Sequence, residues 1–159
     1  AYILARQFLI DVYNSLLFSK LSESNDPIIK GIAKKSSKEI RYHLQRSKDW
    51  MVRLGQGTDE SNQKIQVAID ELWMYTDELF YDSEAEIQLH QKGIAILSSS
   101  IKDDWVKITN ETIIEAGLAV PDNQHHSMQY GKDGTHTEYL GYLLAEMQHL
   151  PLLYPDAKW

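Results

Sequence analysis

The sequence predicts an all-α chain folded as a helical bundle, and three observations carry that expectation. Apolar residues recur at three- and four-residue intervals through most of the chain. No stretch longer than a few residues alternates apolar with polar, as a half-buried strand must. The periodic segments are separated by short breaks rich in Gly, Pro, Asn and Ser, which suits antiparallel helices packed as neighbours. At 159 residues, with 43% hydrophobic and 25% charged, the chain is long enough to bury one core, and a single domain over 1–159 is expected.

The first helix is expected over about Ile3 to Ser22. Phe8, Val12 and Leu16 form one apolar ribbon and Ile10, Tyr13, Leu17 and Leu21 a second, leaving a narrow polar stripe at Gln7, Asp11 and Asn14. Such a helix is buried on most sides. Asn25-Asp26-Pro27 ends it and starts the next, with Asp26 as N-cap and Pro27 at the first helical position, where a missing N–H costs nothing. The second helix is long, and its buried stripe reads Ile29, Ala33, Ser36, Ile40, Leu44, Ser47, Met51 and Leu54. Gly55 is expected to close it in the left-handed conformation, and Thr58 to cap a third helix that runs through Ile65, Ala68, Ile69 and Leu72 to Leu79 and Phe80.

Ser83 and Glu86 have capping-box spacing and open a short helix that Gly93 ends. After Ile94 to Leu97 and a run of three serines, Ile101, Trp105, Ile108 and Thr112 mark a further helix that stops at Gly117. Pro121 to Gly134 is polar and aperiodic and reads as a surface loop. Thr135 and Glu138 have the spacing of a second capping box, before a last helix that carries Leu140, Leu143, Leu144 and Met147 and ends ahead of Pro151.

A net charge of -7 and a pI near 5.3 argue against a nucleic-acid surface and against anionic membranes, because the 16 Lys and Arg are dispersed among 23 acids. The absence of cysteine excludes disulfides, zinc–thiolate sites and a Cys nucleophile from this chain. No apolar run reaches the ~18 residues that cross a bilayer, and no secretory signal opens the chain, so a cytoplasmic protein is expected. The chain is already in helical phase from Tyr2, without an initiator Met, and is expected to be part of a longer subunit.

A carboxylate-bridged di-metal site in a bundle takes single Glu residues from two helices and Glu-x-x-His from two others, because side chains at i and i+3 project to one point. In Glu39-Ile40-Arg41-Tyr42-His43 the third position after Glu39 is Tyr42, and the histidine comes one residue late. Glu39 and His43 still share a helix face at i and i+4, and a buried or half-buried hydrogen-bonded pair is expected of them rather than ligation. Asp11 has the place of a lone carboxylate on the neighbouring helix, although its company with Gln7 and Asn14 points to a solvated face.

Glu146-Met147-Gln148-His149 matches the ligand spacing literally but lies at the end of the last helix, where a bundle-centre site is not built. His125, His126 and His136 read as exposed. Gly55-Gln56-Gly57 lacks the preceding strand and following Lys-Ser/Thr of a phosphate loop, and no Gly-x-Ser-x-Gly elbow is present. Tyr13, Tyr42, Trp50, Trp73 and Tyr75 are core residues by default, though Tyr and Trp are also usual interface anchors.

Two stretches then stand out together: Lys38-Glu39-Ile40-Arg41-Tyr42-His43-Leu44 leading to Arg53-Leu54-Gly55-Gln56-Gly57-Thr58, and His136-Thr137-Glu138-Tyr139-Leu140-Gly141-Tyr142-Leu143-Leu144-Ala145-Glu146-Met147-Gln148. With Ala5-Arg6-Gln7-Phe8-Leu9, Asp70-Glu71-Leu72-Trp73 and Tyr154-Pro155-Asp156-Ala157-Lys158-Trp159, the chain resembles the C subunits of bacterial ring-1,2-phenylacetyl-CoA epoxidases over nearly its whole length.

The resemblance implies a ferritin-like helical bundle without catalytic residues or a metal of its own, whose two N-terminal helices precede Ala1 and are absent here. It implies a vestigial bundle-centre polar site at Asp11, Glu39, Tyr42 and His43. It also implies partners: a catalytic A subunit, which binds iron and the CoA thioester and inserts oxygen into the aromatic ring, and the other epoxidase subunits. No cofactor is expected in this subunit, the iron being expected in the partner.

Two other readings stay open. One is a di-metal oxidase or oxygenase using Asp11, Glu39 and His43 together with ligands from the helices that precede Ala1. The other is an acyl-CoA binder, against which stands the lack of a Lys/Arg cluster for the phosphates. A part-bundle is also expected to expose a large apolar face and to be poorly soluble alone.

Overall fold

The computed structural model describes residues 1–122 and 130–158, and every regular element among them is helical. The chain comprises two compact units, Ala1–Met128 and Gln129–Trp159. In the first, α1 (Tyr2–Leu21), α2 (Pro27–Gly55), α3 (Asp59–Trp73), α4 (Glu84–Gln91) and α5 (Lys102–Glu115) follow one another, with 3-10 turns at Thr76–Phe80 and Ser98–Ile101. The second holds a 3-10 turn at Gly131–Asp133, then α6 (Tyr139–Met147) and α7 (His149–Leu153). His125, His126 and Trp159 lie outside the described residues.

The capping chemistry written in the sequence sets most boundaries. Asp26 accepts from the backbone N–H of Ile28 and Ile29 at 2.8 and 2.9 Å, with Pro27 at the first position of α2. Asp26→Ala is expected to cost about 1 kcal/mol, the usual value of a lost N-cap, with Asp26→Asn close to wild type. The urea midpoint reads both, and an unchanged midpoint in the Ala variant would show that α2 does not depend on this cap. Thr58 caps α3 through the Ser61 N–H. Ser83 and Glu86 form the full reciprocal box at the start of α4. Gly93 and Gly117 take φ of 68° and 71°, which lets the chain leave α4 and α5 sharply.

Four boundaries differ from expectation. The third helix closes at Trp73 and the chain tightens into a 3-10 turn, because Thr76 Oγ1 donates to the Trp73 carbonyl at 2.8 Å in competition with the helical ladder. Gly55 is not a left-handed stop; it is the last residue of α2, and Gln56 follows as the cap. No box forms at Thr135 and Glu138, since Glu138 already has helical dihedrals and its side chain caps nothing. The helix that carries Leu140 to Met147 does end ahead of Pro151, but a further short helix, α7, follows with Pro151 in its first turn, where no N–H is required.

Helix α1 runs antiparallel to α2, so that Ser19 and Ser22 lie beside Ser37 and Arg41 at one end, and Leu4 and Asp11 beside Ser47 at the other. It also packs on α3 and α5, as a helix apolar on most sides must. The core is built from Phe8 and Val12 of α1, Met51 of α2, Ile65 and Ile69 of α3, and Trp105 and Ile113 of α5. At its centre the Trp105 ring lies 5.3 Å from Phe80 and 5.7 Å from Trp73. Its indole N–H donates to the Leu9 carbonyl at 2.9 Å, joining α5 to α1. In the second unit, α6 and α7 bury no side chain, and Tyr139, Tyr142, Met147 and Leu152 are all exposed.

Candidate functional site

Between α1 and α2 lies a groove of about 530 Å³, lined by Leu4, Gln7, Asp11, His43, Arg46 and Ser47 among others. Asp11 is the feature that sets it apart. Its carboxylate is only 3% exposed, because the stripe expected to face solvent faces α2 instead. Gln7, one turn earlier, donates its amide N–H to Asp11 Oδ1 at 2.7 Å. Oδ2 is buried and has no hydrogen-bond partner. Ser47 stands opposite, but its hydroxyl turns back to the Leu44 carbonyl at 3.2 Å. A buried acceptor left in this state costs about 1–3 kcal/mol, so the groove is chemically a place for a hydrogen-bond donor.

The pairing expected of Glu39 with His43 does not form. Both are exposed, and among the described residues no hydrogen bond joins them. The buried face of α2 is set by Ala33, Ser47, Met51 and Gly55, and Glu39 and Tyr42 fall on the other half of the helix. His43 reaches the rim of the Asp11 groove. Tyr42 is 64% exposed and lines a different, shallow hollow of about 250 Å³ with Gln45, Arg46, Asp49, Trp50 and Arg53. Of the four residues singled out in the sequence, Asp11 and His43 therefore share a site, and Glu39 and Tyr42 lie outside it.

The family model described as phenylacetic acid catabolic protein matches residues 1–159. The chain belongs to this family. The C subunit of 1,2-phenylacetyl-CoA epoxidase from Escherichia coli (strain K12) is 45% identical over 156 residues, which cover 98% of this chain and 62% of that relative. The chain thus spans less than two thirds of the relative's length. The family match includes both stretches that carry the resemblance seen in the sequence, and the all-helical architecture is consistent with the ferritin-like bundle it implies.

A pair of irons held in a bundle of this kind needs a set of converging carboxylates and histidines. Asp11 and His43 are the two that approach one another's groove, and among the described residues no three His, Asp or Glu side chains come together as a metal-holding group. The residues described do not supply that donor set. Glu146 and His149 end one helix and begin the next, so their sequence spacing does not put them on a common helical face, and both are exposed. His136 is exposed as expected. No helix among the described residues is long and apolar enough to cross a membrane.

Sequence reading missed two features. The aromatic residues divide: Trp73 is buried and Tyr13 half-buried, whereas Tyr42, Trp50 and Tyr75 are exposed. The cations are not dispersed, since α2 alone carries eight of the 16 Lys and Arg. Counting charge helix by helix, rather than over the chain, exposes the second feature without any structure.

Proposed function

We infer that this chain is part of the C subunit of a multicomponent ring-1,2-phenylacetyl-CoA epoxidase acting in cytoplasmic phenylacetate catabolism, and that its role is structural. The observation that carries the reading is the 45% identity to an epoxidase C subunit over 98% of the chain. The catalytic A subunit is its partner and holds the iron and the CoA thioester. This chain's residues support that chemistry from outside: its helices cover those of the A subunit and hold them in register, and a catalytic constellation loses rate when its surroundings loosen by as little as about an ångström.

Metal analysis of the full-length protein, alone and with the A subunit, tests the reading. Co-purification with the A subunit and substoichiometric iron in the isolated protein are expected. A second reading, a di-metal oxidase with its own site, draws on Asp11 and His43 sharing a groove and on the unpartnered Asp11 Oδ2. Stoichiometric iron in the isolated protein, lost in Asp11→Ala, would establish the second reading and overturn the first.

A further inference from the structure

A carboxylate that is only 3% exposed is almost always paired, because a charge taken out of water needs other groups to replace the lost solvation. Asp11 is half satisfied. Gln7 donates to Oδ1 at 2.7 Å, and Oδ2 is buried with no partner. The donors on the groove's own wall are turned elsewhere. The Ser47 hydroxyl bonds the Leu44 carbonyl at 3.2 Å, and Arg46 is exposed and forms no ion pair with Asp11.

The rest of the wall restricts the kind of donor that fits. Ile3 and Leu4 line the same groove. An apolar approach to a buried carboxylate suits a side chain with an aliphatic stem and a cationic head, as in Lys and Arg, better than a short hydroxyl or amide. The groove, at about 530 Å³, is more than one side chain fills, so it also takes the backbone that carries that side chain.

Two observations bear on where that backbone comes from. More than a third of the length of the Escherichia coli epoxidase C subunit has no counterpart in this chain. Ala1, at the start of α1, is itself part of the groove's wall. A helix joined to Ala1 by a short turn would run back along the groove and pass Asp11 about 15 Å further on, the rise of ten helical residues.

We propose that the segment of the longer subunit preceding Ala1 lies in this groove and places a Lys or Arg side chain against Asp11, so that a buried ion pair fills the space between α1 and α2. This rests on the reading of the chain as part of an epoxidase C subunit, and it deepens that reading by naming what occupies the groove. The test is a double-mutant cycle in the full-length subunit, read by melting temperature. Asp11→Asn keeps the shape and removes the charge, and is expected to lower the melting temperature by about 6 °C or more, as breaking one side of a buried pair does. Each Lys and Arg of the preceding segment is then replaced by Met in the Asp11→Asn background. One of these replacements is expected to recover at least half of the loss, although it destabilises the wild type, because removing both charges leaves neither unpaired.

A second measurement does not depend on stability. His43 lies on the groove's rim and is exposed here, and the chain has no cysteine of its own. In the full-length subunit alone, the thiol of a His43→Cys variant is expected to react with a maleimide more slowly than that of a Lys92→Cys variant, whose position is exposed away from the groove. Equal rates would show the groove open and overturn the proposal. An Asp11→Asn variant that melts with wild type would overturn it, as would recovery by none of the segment's cations or by Arg46→Met instead. Those outcomes leave the reading of the chain as an epoxidase component intact; that reading fails separately if the full-length protein does not co-purify with the A subunit. Stoichiometric iron at Asp11 in the isolated full-length protein would overturn both.

Discussion

Replacing Trp105 by alanine is expected to lower the unfolding free energy by about 3–5 kcal/mol, the range for deleting a large buried aromatic side chain. The side chain is 1% exposed and has Phe80 at 5.3 Å and Trp73 at 5.7 Å, so the void it leaves is walled by rings that cannot easily close over it. Its N–H also ties α5 to the carbonyl of Leu9 across 96 residues of sequence. Trp105→Phe separates the two contributions: it keeps most of the packing, loses the hydrogen bond, and is expected to cost about 1 kcal/mol beyond the lost contact area. Urea unfolding followed by far-UV circular dichroism reads both variants. An alanine variant within about 1 kcal/mol of wild type would mean that the aromatic cluster is not the centre of this core.

Gly55→Ala is expected to destabilise by about 1–3 kcal/mol, although alanine is the better helix former. A β-carbon built on Gly55 collides with the Ala116 carbonyl oxygen and falls 2.8 Å from the Ala116 β-carbon. That backbone cannot step aside freely. The Ala116 N–H is bonded to the Thr112 carbonyl at 2.9 Å, Gln56 grips the neighbouring Glu115 carbonyl at 2.7 Å, and Asn62 holds the Gly55 carbonyl at 2.6 Å. Gly31 is the control within the same helix. It is exposed, nothing lies within 4 Å of an added β-carbon, and Gly31→Ala is expected to stabilise by about 0.5–1 kcal/mol. Melting temperatures that move in opposite directions for one chemical change would show that contact with the end of α5, not conformational freedom, keeps glycine at position 55. Two shifts of the same sign would refute that.

The difference at Gly55 is representative of what could be read from the chain. Its place at the end of a periodic stripe suggested a stop signal, a local property. The contact that requires it comes from Ala116, which no local pattern connects to it. The caps at Asp26, Thr58 and Ser83 were legible because donor and acceptor lie within three residues of each other. The box at Thr135 and Glu138 has the same spacing and does not form, since α6 begins at Tyr139, three residues later than a Thr135 cap requires, with Glu138 at the cap position in helical dihedrals.

The site divides in the same way. Spacing alone was enough to reject Glu39 and Tyr42 as members of a Glu-x-x-His ligand pair, and the structure adds that neither faces the core. Asp11 was harder. On its own helix it lies in a polar stripe with Gln7 and Asn14, and a polar stripe normally faces water. Only the antiparallel passage of α2 turns that stripe inward and leaves Oδ2 buried without a donor.

By itself, then, the sequence determined the helical class, most helix boundaries, the family and the departure of the Glu39–His43 stretch from ligand spacing. All of these rest on periodicity, capping or residue identity, which act over a few positions or are carried by the letters themselves. The tertiary structure decided which side of each helix is covered. That set the burial of Asp11 and the exposure of Glu39, Tyr42 and Trp50. Those outcomes depend on contacts between residues tens of positions apart, and a helix does not record in its own sequence which of its two polar faces a neighbour will cover.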